Sequence, residues 1–449
     1  MSGPSEGRAG GEAVGRRFPL WVLAAHLGAV TLLQSTQTAV LFILPVIAKK
    51  QFDAGNWQVF FITAPPTILF ITSIFWNDLF GRVRFSRFMA LYWVVACLPL
   101  AFVAFAQSYW MLLVPHLLSC AALSAYHPAA GGLLKRLYPD SARGRVYGLL
   151  WGGSMVAGAF TSWGVGHWLE RDPESFRVYM PLAAGLQMLG AIALAWLSHA
   201  TRDEAAPPRA TPESRGALAR VVDPVVHMRT VLREDPTFAR YEGAYMTYGV
   251  GWMIAYALLP ILSTTKLGLN YEQFMNATQV PYLLAIVAMI YPAGLLLDKL
   301  GAVKTTALSF AALSLYPLAL IFAGSAVGPA TDLTAASLTY GIAHSGASIG
   351  WMLGPVALAP RPEKVPQYVA IHATLVGLRG AVFQFAGVGL YEVTGSFTWP
   401  LLAAAVAYLW SAQQMWSLHR RMRAESLAAA AMPAPASAEV QNRTEPAGK

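Results

Sequence analysis

An arginine stands in the middle of an apolar run: Arg379 lies near the centre of the stretch Tyr368 to Glu392. At the centre of a membrane-spanning helix an arginine costs at least roughly 2.5 to 3.5 kcal/mol on insertion scales, so it must face the protein interior or a water-filled cavity. Its planar fork of donors suits a carboxylate or phosphate, and a cation is the least compatible partner. Either a bound anion supplies the partner, or backbone carbonyls, a tyrosine and water satisfy the guanidinium as a structural knot. Histidines add a second chemistry. His26, His116, His127, His344 and His372 all fall within apolar runs, and imidazole changes charge near physiological pH. Since no Asp or Glu sits near the midplane of any run, His344 is the first choice for moving a proton and His116 the second. His372, seven residues before Arg379 on nearly the same helix face, is placed to tune or orient it. For each histidine a neutral, hydrogen-bonded structural role is the alternative. No Gly-x-x-x-x-Gly-Lys-Ser/Thr loop, nucleophile constellation or metal-ligand spacing is present, so neither an enzyme nor an ATPase is expected, and no cofactor or metal.

Apolar helices must hold these groups. Of the 449 residues 56% are hydrophobic and 12% charged, with a mean hydropathy of +0.46; a soluble domain carries about 25% charge. The runs are long enough for helices to cross roughly 30 Å of hydrocarbon, and strand-like alternation is absent. The expected fold class is therefore all-α, a polytopic membrane protein with about twelve spans: Leu20 to Ile43, Trp57 to Asn77, Phe88 to Ala106, Tyr109 to Leu133, Val146 to Trp168, Val178 to Ser198, Tyr241 to Ser263, Thr278 to Leu297, Thr305 to Ala323, Leu333 to Leu358, Tyr368 to Glu392 and Phe397 to Leu418. The domain reading is an N-terminal segment 1–17, a six-helix half 18–200, a linker 201–238, a second six-helix half 239–423 and a disordered tail 424–449. Within the linker region, Val221 to Leu232 has the pattern of a short helix lying on the membrane face.

Basic residues set the orientation. With both termini cytoplasmic, most of the 32 Lys and Arg fall inside, leaving Lys49, Lys50, Arg171, Arg177 and Lys266 outside and Arg379 within a span. The net charge of +9 is thus a topology signal, and its scatter over short turns disfavours a nucleic-acid partner. Cys97 and Cys120 lie inside spans and read as packing residues rather than a disulfide.

Two turns repeat one pattern, an acid followed three residues later by glycine and then basic residues. Asp78, Gly81, Arg82 and Arg84 follow the second span, and Gly294, Asp298, Lys299, Gly301 and Lys304 follow the eighth. With the twelve-span pattern this chain resembles the major facilitator superfamily, whose two six-helix halves carry Gly-x-x-x-Asp-Arg/Lys-x-Gly-x-x-basic between helices two and three and often again between eight and nine. The second copy matches closely; the first has Ile74 where the leading glycine would be. The resemblance implies that these residues help hold a cytoplasmic gate closed, the alternative being a topology-setting turn. The Gly-x-x-x-Gly-Pro-x-x-Gly-Gly signature of proton-driven exporters is unmatched, since Gly148, Gly152, Gly153 and Gly158 lack the proline.

In that family helices one, four, seven and ten line a central cavity. Here span one carries Gln34 and Gln37; span four His116, Cys120, Ser124 and His127; span seven Tyr241, Tyr245, Tyr248, Trp252 and Tyr256; span ten Tyr340, His344 and Ser348, each set at helical spacing. The candidate substrate contacts are Arg379, Gln34, Gln37, His116, Tyr248, Trp252, Tyr340 and His344, with core packing as the alternative for the aromatic stripe. The candidate proton-coupling residues are His344, His116 and His372. The expected function is a secondary transporter moving a small organic solute, an anion first, by alternating access with protons as a coupling ion. Its partners are that small-molecule substrate and the lipid bilayer, in a plasma membrane with a bacterial inner membrane as first choice. A proton-driven exporter of hydrophobic compounds and a non-transporting receptor on the same fold are the alternatives.

Overall fold

The computed structural model describes residues 19–72, 84–201, 217–361 and 364–431, and among them every regular element is helical. Twelve long helical segments match the expected spans: α1 (Leu20–Gln51), α2 (56–72), α3 (Phe85–Phe105), α4 (Tyr109–Leu137), α5 (Asp140–Arg171), α6 (Pro173–Ala200), α7 (Pro236–Lys266), α8 (Tyr271–Leu300), α9 (Ala302–Phe322), α10 (Pro329–Leu358), α11 (Val365–Thr394) and α12 (Thr398–Ala431). Of these α1, α3, α6, α7, α8, α9 and α11 are long and apolar enough to cross a membrane by length and composition alone. The segment 1–17, the linker part 202–216, the first motif residues Asp78, Gly81 and Arg82, and the tail from 432 lie outside the described residues.

Several helices outrun their apolar cores, because polar residues at their ends cap them. α8 begins at Tyr271 rather than Thr278. Asn270 accepts from the Gln273 amide at 2.7 Å, and Gln273 accepts from the Asn270 amide at 3.2 Å, a capping box. α12 runs to Ala431, into the stretch expected to be disordered, through an alanine run of high helix propensity. The linker carries a helix, Ala217–Glu234, in which Val222, Val225 and Val226 are exposed while Val231 packs with Phe238, Tyr368 and Ile371.

Prolines set the internal breaks. Pro281 cannot donate to the Ala277 carbonyl, and α8 is interrupted at Thr278, whose hydroxyl donates to the Phe274 carbonyl at 2.6 Å. Pro317 likewise follows the break in α9 at Ser314. Pro65 and Pro66 divide α2, leaving Ala64 between its first two parts.

The halves meet along two seams. In the first, α2 and α11 run antiparallel: Gly377 lies against Ile71 and Ile68, Gly380 against Thr67, Gln384 donates to the Thr67 hydroxyl at 2.6 Å, the Trp57 and Phe385 rings are 5.0 Å apart, and Asn56 donates to Glu392 at 2.7 Å. In the second, α5 meets α8: Gly158 lies against Leu283, Gly166 against Met275, Glu170 accepts from the Tyr271 amide at 3.0 Å, and His167 pairs with Glu272 at 3.2 Å. Gln51 donates to the Tyr271 hydroxyl at 3.1 Å and Lys50 covers its ring, 5.2 Å from the centroid. Apart from Gln384, which meets Thr67 further along the seam, these charged and amide side chains joining the halves gather at one end, which we call the Tyr271 end.

At that same end a tight loop precedes α10. Asp332 accepts from the amides of Gly324 at 2.9 Å, Ala326 at 3.0 Å and Val327 at 3.0 Å. Those bonds hold its carboxyl below the ordinary carboxylate range, so the stabilisation is present above that range and lost as pH falls through the lowered value. Asp332→Asn should speed amide exchange of residues 324–327 severalfold at neutral pH, and acidification should lower the protection of the native loop relative to the intrinsic exchange rate, which itself slows in acid; hydrogen–deuterium exchange by mass spectrometry reads both.

Candidate functional site

Helices α7 and α11 start at the same end and run side by side, with Glu242 opposite His372 and, seven residues later on both, Gly249 opposite Arg379. The register follows from size: a Cβ on Gly249 would collide with the Arg379 side chain, so only glycine leaves the arginine its channel. Arg379 is 1% exposed. Its Nη1 donates to the Tyr245 carbonyl at 2.7 Å, and its Cζ lies 5.9, 5.7 and 5.9 Å from the ring centroids of Tyr245, Tyr248 and Trp252. These residues share one face of α7 at i, i+3 and i+7. Such faces attract a desolvated cation by about 2 kcal/mol or more. Nε and Nη2 nevertheless have no partner among the described residues. A buried donor left unpaired costs about 1–3 kcal/mol, more when charged, so this fork has two unused donors for an acceptor.

Two helical turns away, His372 Nδ1–H donates to both oxygens of Glu242, at 2.8 and 2.9 Å, with both residues 2% exposed. No carboxylate among the described residues bonds to Arg379, and Glu242 lies near the start of α7. It is buried within electrostatic range of Arg379. His372 Nε2 has no partner among the described residues. Between the two groups stands Tyr245, its ring 4.9 Å from the His372 ring and edge-on to it. The Tyr245 hydroxyl donates to the Ala347 carbonyl at 3.0 Å and that of Tyr241 to Gly350 at 2.8 Å, tying α7 to α10.

An aromatic chain leads on from Trp252. Its ring is 6.3 Å from His344, which stacks on Tyr340 at 4.9 Å. His344 Nδ1 lies 3.2 Å from the Tyr282 hydroxyl and 3.3 Å from Ser348 Oγ. Arg379, Tyr248, Trp252, His344 and Tyr340 thus form one contiguous group inside the C-terminal half. Tyr241, Tyr245 and Tyr248 are buried among α9, α10 and α12, with Tyr248 stacked on Phe310 at 4.6 Å.

The N-terminal candidates are engaged within their own half. Gln37 donates to the Tyr92 hydroxyl at 3.4 Å, and Gln34 reaches Tyr126. His116 Nε2 donates to the Ile62 carbonyl at 2.8 Å. That carbonyl is the one Pro66 leaves without an i+4 donor, so the imidazole repairs the break in α2. The carbonyl accepts only, which fixes the proton on Nε2.

In the second motif copy, Gly301 ends α8 at φ +79°, a conformation that favours glycine, with its amide donating to Leu297 at 2.8 Å. Asp298 and Lys299 are exposed and make no ion pair with a described residue; Gly294 has open space around it. Lys304 covers the Trp416 ring at 5.7 Å, and Arg84 is exposed at the start of α3. Nearby, burial, then Lys304 and Arg423, depress the proton affinity of His419. Sequence reasoning missed the role of Glu242; an acid inside the seventh apolar run, seven residues before a glycine, was its signal.

The sequence profile described as Major Facilitator Superfamily matches residues 27–387. No curated protein sequence matches closely enough to count as a relative. Among solved structures, the fold is similar to a POT family transporter in complex with 5-aminolevulinic acid, with TM-score 0.73 and 12% identity over 89% of this chain and 96% of that one. It is similar too to a POT family transporter in complex with a thioalcohol conjugated peptide, at TM-score 0.67 and 13% identity over 90% and 96%. A third likeness is to the nucleoside transporter NupG, at TM-score 0.62 and 11% identity over 90% and 99%. At such identities the likeness carries the fold.

Proposed function

The chain belongs to the Major Facilitator Superfamily, and from that membership we propose a secondary active transporter that carries a small organic anion between the two faces of a membrane by alternating access. The observation that carries the anion reading is the pair of donors on Arg379 that are buried and have no acceptor among the described residues. A carboxylate fits that fork, and an apolar or aromatic body fits the faces of Tyr248 and Trp252 beside it. Gln34, Gln37 and His116 are then second-tier contacts, reached only if the N-terminal half moves toward the site.

Lys49, Lys50, Arg171, Arg177 and Lys266 lie toward the Tyr271 end, and the other basic loop residues among those described lie opposite. By the positive-inside rule the Tyr271 end is external, both termini are cytoplasmic, and the conformation described is closed to the outside, in a plasma membrane such as a bacterial inner membrane. The turn at Gly301 then lies on the cytoplasmic side, where Asp298 and Lys299 are free to engage when that side closes.

The aromatic run from Trp252 to Tyr340 favours one competing reading, export of apolar compounds. Counterflow in proteoliposomes separates the two. Vesicles preloaded with benzoate, lactate or succinate should accumulate the labelled counterpart at least about 10-fold over protein-free vesicles. Exchange of a neutral drug or an amine with none of the three anions would overturn the anion reading.

A further inference from the structure

Resting on the transporter reading above, we propose that Glu242 and His372 form a proton site that fills together with the anion at Arg379. The pair is buried and bonded through one imidazole nitrogen: Nδ1–H is held by the carboxylate at 2.8 and 2.9 Å, and Nε2 has no partner among the described residues. A carboxylate that fixes Nδ1–H leaves the Nε2 lone pair free. A proton arriving there makes an imidazolium beside Glu242, with no bond broken and no other group displaced.

The charges around the pair decide when that proton can stay. From α7 the neutral phenols of Tyr241 and Tyr245 face it, with ring centroids 6.3 and 4.9 Å away. From α10 the facing group is the Trp351 indole at 5.3 Å, which carries no charge. From α9, Phe310 packs on Tyr245, while Lys304 is turned onto Trp416. From α12, Tyr408 reaches only as far as Tyr248, at 5.6 Å. From the linker region, Asp235 is taken by the Tyr368 hydroxyl at 2.8 Å. That leaves Arg379, two turns along α11, as the described cation that sets the field. With the guanidinium uncompensated, a second positive charge on His372 is opposed. With an anion seated on Nε and Nη2 the opposition is cancelled. Across about 10 Å and an effective dielectric near 20 the coupling is on the order of 10-fold, and it is reciprocal: anion binding draws in a proton, and acid tightens the anion.

The test needs no variant at first. Adding benzoate or succinate to the detergent-purified protein in weak buffer with a pH-indicator dye should take up, at its maximum between pH 8 and pH 6, about half a proton per anion bound, and apparent affinity should improve about 10-fold over that range. Glu242→Gln keeps an oxygen for Nδ1–H but cannot hold the imidazolium; His372→Gln removes the acceptor. Both, checked for a monodisperse size-exclusion profile, should bind the anion with no proton uptake and a flat pH profile. Binding by the wild type with no proton uptake overturns the proton site and leaves the anion reading intact, as does unchanged uptake in both variants. A wild type that neither binds nor exchanges either anion overturns the anion reading, and the proton site falls with it.

Discussion

Arg379→Gln is expected to lower anion exchange by at least about 100-fold while leaving the unliganded protein as stable as the wild type or more so. The two effects have one origin. Each bond from a guanidinium to a carboxylate contributes about 1.5–3 kcal/mol, and two are lost together, which at 1.4 kcal/mol per factor of ten gives the loss of exchange. The unliganded protein meanwhile holds a cation with one hydrogen bond, three aromatic faces and two idle donors. Replacing a poorly compensated buried charge by a neutral side chain is often neutral or stabilising. Thermal unfolding in detergent, with and without benzoate, measures both: the wild type should gain stability with the anion, and the variant should gain none from a starting point at least as high. Arg379→Lys should recover little, because an ammonium offers no planar fork. If the arginine is instead a structural knot, the variant unfolds at lower temperature and the protein that remains folded still exchanges anions.

The spans and the turn at Gly301 were legible because each is a local property. Twenty apolar residues in succession have few other fates, and Gly301 sits where a positive φ is required. Burial of Arg379 was legible for the same reason. What the sequence could not supply was register between helices. Gln34, Gln37 and His116 carry the same helical spacing as Tyr340, His344 and Ser348, yet His116 is spent on the Ile62 carbonyl freed by Pro66, a bond between α4 and α2 that no periodicity reports. Glu242 shows the converse. Beside a tyrosine at the start of an apolar run it resembles a snorkelling end residue, and it becomes a buried partner of His372 only because Gly249 lets Arg379 fix α7 against α11 at that register.

The second large effect is expected at Gly377, where α11 touches the other half. A Cβ there would collide with the Ile71 backbone nitrogen and stand 2.9 Å from the Ile68 carbonyl oxygen. Backbone cannot swing aside as a side chain does, so Gly377→Val must separate α2 from α11. Overpacking of this kind costs about 1–3 kcal/mol, enough to shift the balance between closed and open arrangements about 5- to 150-fold. The cost falls on the seam and not on either half, because Gly377 meets α2 and each six-helix bundle keeps its own packing. Asn56 and Glu392, bonded at 2.7 Å, report on that seam, so cysteines placed at both, with the buried Cys97 and Cys120 removed, should cross-link readily in the parent and at least about 5-fold less with Gly377→Val. Anion counterflow should fall with it, since a carrier that cannot close its Tyr271 end cannot complete the cycle. Gly185→Ala supplies the contrast: no atom stands within 4 Å of the added carbon, and the better helix former should leave cross-linking and exchange unchanged. Unaltered cross-linking in Gly377→Val would mean that α2 and α11 stay together and absorb the added side chain locally, and this seam would then not set the balance between closed and open arrangements.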